Sequence, residues 1–394
     1  MLSTVVTVIF VVLGIIVSVA LHELGHFIPA KLFGVPATEY FVGFGPKLFS
    51  KRRGETEYGV KAILLGGYTR IEGMFPPKPA GRVDKHFKAQ IEAAREESEK
   101  GMQGFDEKRA FYNLSSPKKL TVMMGGTLTN LVLGFVCFLI AFSLIGARVP
   151  SLEIAAVAPE SPAAVAGIEV GDRIEAVNDE AVENWGAAQA KIANSTGSVT
   201  LELQNDAEHE TKTVQIEPSG EQGSRKIGIQ AGLETRRLGV LETVQLTLEN
   251  SLATVNAITM IPVELFNTTL QLVTGDTGSK RNLMSVIGLG QVAVAADNNT
   301  VDLWAKVGNI LSILGSLNIA LFVFNLVPLL PLDGGHSANA IYEGLKRSWF
   351  KLRKKPRPAP SDLARSMPVA NVVFVLLIFM FVIMAVADLV HPLV

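Results

Sequence analysis

The sequence predicts a polytopic α-helical membrane protein with about four transmembrane helices, on the basis of its composition and of the length of its apolar blocks. Apolar residues make up 48% of the 394 residues, and charged residues only 19%. Much of the apolar content lies in four blocks: Met1 to Ala30, Leu120 to Ile145, Val307 to Leu332 and Pro368 to Val390. Each block is about long enough to cross the ~30 Å hydrocarbon layer as a helix. We therefore expect the protein to reside in a lipid bilayer.

The first apolar block could instead be a cleaved signal peptide. Its opening residues, Met1-Leu2-Ser3-Thr4, lack the basic region of such a peptide. The apolar run also continues into His22-Glu23 rather than into a small-residue cleavage site. We therefore expect a transmembrane helix within residues 1–33, with further spans at residues 120–147, 305–336 and 368–390. The single cysteine, Cys137, excludes an internal disulfide.

The charges are distributed unevenly between the spans, although the net charge is only −1. From Ile28 to Lys119 there are 17 basic and 11 acidic residues, whereas from Arg148 to Lys306 there are 11 basic and 21 acidic residues. Residues 342–367 carry eight basic residues. By the positive-inside rule, the first and third connections are cytoplasmic, and the second connection and both termini lie outside. We expect no nucleic-acid partner.

The first connection has two parts. Residues 34–75 contain Gly43-Phe44-Gly45-Pro46 and an extended run from Tyr58 to Ile71 around Gly66-Gly67, which predicts a β segment. Residues 76–119 form a charged cytoplasmic insertion with a helical patch near Gln90 to Lys100. We interpret this insertion as a solvated region rather than as a binding surface.

The second connection also divides into two regions. Residues 152–231 contain short β-type runs separated by turn residues, which predicts a small β-rich domain inserted between helices 2 and 3. Residues 238–300 are expected to form an interfacial amphipathic region, with a break at Pro262. The third connection, residues 337–367, is expected to be a basic cytoplasmic loop.

A metal-binding pattern lies in the first span. His22-Glu23-Leu24-Gly25-His26 has the form H-E-x-x-H, and residues four apart on a helix share a face, so both imidazoles can reach one Zn²⁺. Glu23 could then act as a general base on a water molecule and later protonate the leaving amine. Such a pattern also occurs by chance on surface helices. Ionisable groups in an apolar span are costly without a partner, however, and this favours a zinc site.

A catalytic zinc needs a third protein ligand. The best candidate is Asp333, which follows Pro328 and Pro331 at the end of the third apolar block, where irregular backbone is tolerated only against protein or a water-filled cavity. His336 is the competing candidate. Asn325 lies beside the same break, where its amide could hold a substrate backbone or an oxyanion.

These residues resemble the site-2 protease family, and specifically its bacterial branch with a PDZ domain. His22 to His26 is similar to the zinc motif of that family, and Asn325 to Gly335 is similar to its second motif. The resemblance implies that Asp333 completes the zinc site and that Asn325 contacts substrate. Gly66-Gly67-Tyr68 resembles the membrane-associated β segment that is thought to receive substrate as an added strand.

The segment Ser161-Pro162-Ala163-Ala164, followed by Gly171-Asp172-Arg173-Ile174, is similar to a PDZ signature. The resemblance implies an outer PDZ module over residues 152–231 that filters or sterically gates substrates. Any other small β-rich domain is the alternative interpretation of these residues.

The resemblance also implies a function. We expect a zinc metalloendopeptidase of the bacterial inner (plasma) membrane that cleaves single-span membrane proteins, such as anti-sigma factors, within or near their transmembrane segments. One alternative is a PDZ-containing membrane scaffold with a silent metal site, but a structural site has no need of Glu23 as a base. Another is a metal transporter, which would be expected to show paired helical repeats or further intramembrane acids.

Overall fold

A computed structural model describes residues 2–78, 84, 86–205, 210–220, 223–274, 288, 291 and 303–390. The chain forms two compact units. The first unit combines Met1–Ile145 with Gly239–Val394, and the second is Gly146–Leu238.

The elements follow one another along the chain. The N-terminal part of the first unit contains α1 (Leu2–Leu32), β1 (Ala37–Arg53), β2 (Thr56–Ile71), α2 (Lys88–Gly101) and α3 (Ser116–Phe138). The second unit contains β3 (Ala147–Val157), α4 (Pro162–Val165), β4 (Asp172–Val177), β5 (Glu180–Ala181), α5 (Trp185–Asn194), β6 (Val199–Asn205), β7 (Glu210–Ile216) and β8 (Ile229–Arg236). The C-terminal part of the first unit contains α6 (Val240–Thr274), α7 (Leu303–Phe324), α8 (Asp333–Leu352) and α9 (Met367–Val390).

Four helical stretches among the described residues are long and apolar enough to cross a membrane. They are Val5–Leu32, Ser116–Gly146, Leu303–Phe324 and Leu363–Val390. The second stretch includes π-helical turns at Leu139–Gly146, which extend α3. The number of spans therefore agrees with the four apolar blocks of the sequence.

The third span ends earlier than the sequence suggested. The expected span 305–336 is helical only to Phe324, and a new helix begins at Asp333. Pro328 and Pro331 cannot donate the backbone hydrogen bonds of a continuing helix, so the chain between these two helices is irregular. The first half of the expected basic loop 337–367 is helical, because α8 continues to Leu352.

The expected break at Pro262 is also wrong. Helix α6 runs without interruption from Val240 to Thr274 with Pro262 inside it. A proline removes one helical hydrogen bond, and α6 accommodates this loss while it packs against α3, α7 and α9. Apart from residues 288 and 291, the part of the expected amphipathic region after Thr274 lies outside the described residues.

The β segment after α1 is an irregular antiparallel pair of long strands. Both strands bend, so that Tyr40 of β1 lies opposite Thr69 on one side and opposite Tyr58 on the other. Tyr40 also donates a hydrogen bond from its hydroxyl to the Ala20 carbonyl oxygen in α1 at 2.7 Å. The predicted β segment is therefore present, and it packs directly on the first helix.

Helices α1 and α3 approach each other closely through glycines. A Cβ atom on Gly25 would lie 2.5 Å from the Gly125 carbonyl oxygen, and one on Gly126 would lie 2.2 Å from His26 Nε2. Side chains at these positions would force the helices apart. Two turns earlier in α1, the buried Asn318 of α7 donates from Nδ2 to Ser18 Oγ at 2.9 Å.

The second unit is a small β domain. Among its described residues, the strands form one sheet in the order β7-β6-β4-β3-β8, with β5 paired to β4. Its fully buried core includes Ile154, Ile174, Val177, Leu201 and Leu203. The predicted β-rich region 152–231 falls inside this unit. The unit also contains two short helices, α4 and α5, and the strand β8, which were not among the β-type runs of the sequence.

The buried ion pair between Lys119 and Glu343 is expected to be important for stability. Lys119 Nζ donates to Glu343 Oε2 at 2.6 Å, and both side chains are almost fully buried. Removing one partner leaves an uncompensated buried charge, so Glu343→Ala should lower the free energy of unfolding by about 3–5 kcal/mol. Unfolding in mixed micelles measures this change. The exposed Glu96, which pairs with Lys100, is the control, because Glu96→Ala should cost less than about 0.5 kcal/mol.

A second ionic contact predicts a response to acid. Arg95, and then Arg365, lower the pKa of the Asp84 carboxyl from 3.8 to about 2. A carboxyl with a depressed folded pKa contributes stability that is present above its unfolded pKa and is lost as pH falls through the folded value. The contact should therefore loosen between about pH 4 and pH 2. The melting temperature should fall more over this range in the unmodified protein than in Asp84→Asn, and equal falls in the two proteins would contradict this expectation.

Candidate metal centre and catalytic groove

Three side chains that are distant in sequence converge on one point. His22 and His26 lie one turn apart on α1, and Asp333 is the first residue of α8. His26 Nε2 lies 3.3 Å from His22 Nε2, and Asp333 Oδ2 lies 3.4 Å from His22 Nε2 and 3.2 Å from His26 Nε2. Among the described residues, these three form the one cluster of His, Cys, Asp and Glu side chains suited to a metal ion.

The spacing of these three atoms fits zinc. Zinc binds imidazole nitrogen and carboxylate oxygen at about 2.0–2.2 Å in a tetrahedral arrangement, so two of its ligand atoms lie about 3.3–3.6 Å apart. The three measured separations, 3.2 to 3.4 Å, agree with this expectation. Two neutral imidazoles and one carboxylate also form a ligand set that zinc sites commonly use.

Helix α3 orients the His26 ring. His26 Nδ1 lies 2.8 Å from the Val122 carbonyl oxygen, which can only accept a hydrogen bond. Nδ1 therefore carries the proton, and the lone pair of Nε2 points toward the cluster. This is the usual way in which a metal-binding histidine is held in the correct tautomer.

The same helix holds His22 through Asn130. The Asn130 side-chain amide lies 3.1 Å from His22 Nδ1, and Asn130 is almost fully buried. As placed, the amide nitrogen faces the ring and the buried Oδ1 has no partner among the described residues. Amide nitrogen and oxygen are interchangeable by a 180° rotation. The rotated amide accepts a hydrogen bond from Nδ1–H through Oδ1, and the lone pair of His22 Nε2 is then directed at the cluster.

Asp333 is also in contact with α3. The hydroxyl of Thr127, which is fully buried, lies 3.4 Å from Asp333 Oδ2 and is positioned to donate to it. Helix α3 therefore contacts all three members of the cluster through Val122, Thr127 and Asn130. Sequence reasoning did not identify these supporting residues. A buried threonine and asparagine within an apolar span were the available signal, because polar groups there require partners.

Glu23 lies beside the cluster in a groove of about 380 Å³. The groove is also lined by the β2 residues Gly67 to Ile71. A Cβ atom on Gly67 would lie 3.1 Å from Glu23 Cγ, so glycine allows the strand to pass close to this side chain. Thr69 donates from its hydroxyl to the Glu23 carbonyl oxygen at 3.1 Å, which fixes β2 against α1.

Some of the remaining predicted site residues line the groove, and others lie outside it. His336 lines the groove, but it is not part of the three-residue cluster, and its Nδ1 is buried without a partner among the described residues. Gly67 lines the groove, whereas Gly66 packs against Phe44 and does not. Asn325 is half-buried just after α7 and is not among the residues that line the groove.

Comparisons with known proteins agree with the geometry of this site. Residues 10–358 match Peptidase family M50. Zinc metalloprotease Rip1 of Mycobacterium tuberculosis (strain H37Rv) is 31% identical over 420 residues, which cover 96% of each chain. Zinc metalloprotease Rip1 of Mycolicibacterium smegmatis is 30% identical over 421 residues, which cover 97% of this chain and 96% of that protein.

The chain belongs to peptidase family M50, the site-2 protease family. It is a zinc metalloprotease with a membrane location, as the apolar spans and the family relationship together show.

The contact between Asn130 and His22 predicts an effect on zinc affinity. Asn130→Leu removes the hydrogen bond that selects the tautomer of His22, and loss of such a contact typically weakens metal binding by about 10–100-fold. Asn130→Asp retains an acceptor oxygen and should bind zinc more tightly than Asn130→Leu. Competition with a chromophoric chelator measures both affinities. Equal affinity of Asn130→Leu and the unmodified protein would show that Asn130 does not support the ligand.

Proposed function

We propose that this protein hydrolyses peptide bonds in or near the transmembrane segments of single-span membrane proteins, as in the regulated intramembrane proteolysis of anti-sigma factors. The observation that carries this proposal is the location of the cluster. His22, Glu23 and His26 lie within the apolar stretch Val5–Leu32, so the reactive groups are part of a candidate membrane span. A substrate would have to reach them within the lipid bilayer or at its boundary.

His22, His26 and Asp333 would hold the zinc ion. When bound, zinc supplies a Lewis acid that polarises the scissile carbonyl and lowers the pKa of water. Glu23, which lies in the same groove, accepts the proton of the attacking water and delivers it to the leaving amine nitrogen. This division of roles requires three ligands and a separate base. The cluster and the neighbouring Glu23 match that requirement.

The substrate backbone would bind to β2. Among the described residues, β2 pairs with β1 alone, and its stretch from Gly67 to Ile71 lines the groove. A protease acts on an extended backbone, and addition of a strand to a sheet edge holds a peptide in this form. The groove thus offers main-chain hydrogen bonds next to Glu23. This supports a role for Gly67 in substrate binding more directly than one for Gly66 or Asn325.

For the orientation of the chain, we propose that both termini and the β domain lie outside and that the first and third connections lie in the cytoplasm of a bacterial cell. The distribution of basic residues supports this assignment. Helix α8 and the residues that follow it carry most of the basic residues of the third connection.

The β domain is proposed to be a PDZ module that screens substrates. A cavity of about 270 Å³ lies between α5 and the chain entering β8, and it is lined by Ile174, Trp185, Ile192 and Ile229. Arg225 and Lys226 border it. An apolar groove between a helix and a strand can accept an extended peptide. Bulky outer domains of a substrate could equally be excluded by the module, which would limit cleavage to proteins already trimmed outside.

The catalytic assignment is tested by cleavage of a single-span substrate in cells and by the zinc content of the purified proteins. Glu23→Gln should lower cleavage by about 10²–10⁴-fold and retain zinc, because a general base contributes about this much and is not a ligand. Asp333→Asn should lose zinc, whereas His336→Ala should keep it. If Glu23→Gln cleaves as well as the unmodified protein, the groove does not perform this chemistry and a scaffold role takes its place.

A further inference from the structure

A second cavity adjoins the catalytic groove. It has a volume of about 380 Å³ and shares Tyr68, Arg70, Ile71 and Met74 with the groove. Because the two cavities have four lining residues in common, they lie next to each other along the end of β2. A peptide strand placed on β2 beside Glu23 would continue into the second cavity.

The far wall of this cavity comes from the charged insertion. Ala94 of α2 lies opposite the β2 end, and Met367, the first residue of α9, closes another side. Together with Ile71, Met74 and Phe75, these residues give the cavity a largely apolar lining. The sequence favoured a solvated insertion without a binding surface, whereas one face of α2 lines this cavity beside the end of β2.

The wall is held firmly in place. Ser98 of α2 donates from Oγ to the Phe75 carbonyl oxygen at 3.0 Å and accepts from the Phe75 backbone N–H at 3.1 Å. Arg95 donates to Asp84 at 2.8 Å and to Asp362 at 2.5 Å, and all three side chains are at least nine-tenths buried. These contacts connect α2 both to the segment after β2 and to the segment before α9, so the cavity has a defined shape.

The charged groups at the rim are ion-paired, with two carboxylates against one guanidinium. Arg70 lies at the junction of the two cavities, where it pairs with Glu72 at 3.1 Å and also with Glu97. Each of these carboxylates is paired with Arg70, and their excess negative charge disfavours an acidic side chain in the cavity. An uncharged, apolar side chain fits this lining best, because the burial of such a side chain contributes about 1.5–3 kcal/mol to binding.

We propose that this cavity is a specificity pocket of the protease, in which α2 and Met367 accept a large apolar side chain of the substrate on the cytoplasmic side of the scissile bond. The inference rests on the proposed function. From Gly67, beside Glu23, to Ile71 the chain advances four residues, which is about 13 Å in a strand. The side chain that enters the pocket thus belongs to a residue about three to five positions from the cleaved bond.

The test uses the full-length protein in proteoliposomes with a series of single-span substrates. Each substrate carries Ala, Leu or Phe at one of the positions two to six residues from the cleaved bond on the cytoplasmic side. The unmodified protein should prefer Leu or Phe to Ala at one of these positions. In a hydrophobic pocket, a single methylene is worth roughly 10–200-fold in discrimination. The expected preference is therefore about tenfold or more.

Ala94→Phe fills the pocket, and Ala93→Phe is the matched control, because Ala93 is the exposed neighbour on the same helix. Ala94→Phe should lower the ratio of Leu or Phe cleavage to Ala cleavage by about tenfold, with zinc still bound. Ala93→Phe should keep the original profile. Met367→Ala enlarges the pocket and should shift the preference toward Phe, which gives a second result if Ala94→Phe does not fold.

The possible results distinguish a failure of the pocket proposal from a failure of the proposed function. If the unmodified protein cleaves but shows no preference at any position, or if Ala94→Phe and Ala93→Phe have the same profile and Met367→Ala leaves it unaltered, the specificity pocket is refuted while the protease function stands. If the unmodified protein with bound zinc cleaves none of the substrates, the proposed function fails, and the pocket fails with it.

Discussion

The site depends on the close contact between α1 and α3. Gly25, Gly125 and Gly126 let the two helix backbones approach to a distance that no side chain would permit. At this distance α3 can reach His26 through a backbone carbonyl and His22 through the amide of Asn130. Small residues are the usual means by which helices pack closely in membranes, where the hydrophobic effect gives no preference for helix association. Here the same packing also determines the direction of two imidazole rings.

The contact also explains why polar groups are tolerated within an apolar span. Two histidines, a glutamate, a threonine and an asparagine would each be costly in hydrocarbon if they were unpaired. In the structure, each histidine is paired through Nδ1, and the Asp333 carboxylate faces both Nε2 atoms. The groove beside β2 provides a polar space for Glu23. The polar residues therefore form one connected set in which each member reduces the cost of the others.

The sequence predicted the local parts of this arrangement well. His22 and His26 share a helix face by periodicity alone, and Asp333 could be inferred because an aspartate after two prolines at the end of an apolar block needs a partner. The number of spans and the β segment followed from length and composition. These predictions were possible because each depends on residues that are close in sequence or on a cost that any membrane protein must avoid.

The parts that the sequence could not supply depend on contacts between distant segments. The carbonyl of Val122 has no side-chain signature, and the role of Asn130 requires the helix register. Pro262 suggested a break, but the surrounding helix continues. The charges of the insertion suggested a solvated region, although Arg95 is buried between Asp84 and Asp362. Charge alone does not distinguish a solvated face from an internal network, because this depends on partners far along the chain.

The position of Asp333 has a consequence for folding. Its carboxylate begins α8 near the C-terminal end of the chain, whereas the two histidines lie in α1 at the N-terminal end. A zinc ion held by these three side chains would therefore act as a cross-link that closes a loop containing most of the protein, comparable in its effect on the unfolded chain to a long-range disulfide. Because zinc binds the folded state, its free concentration contributes to the folding equilibrium. Chelation would remove this cross-link as well as the catalytic ion and would lower the thermal stability of the whole helical unit.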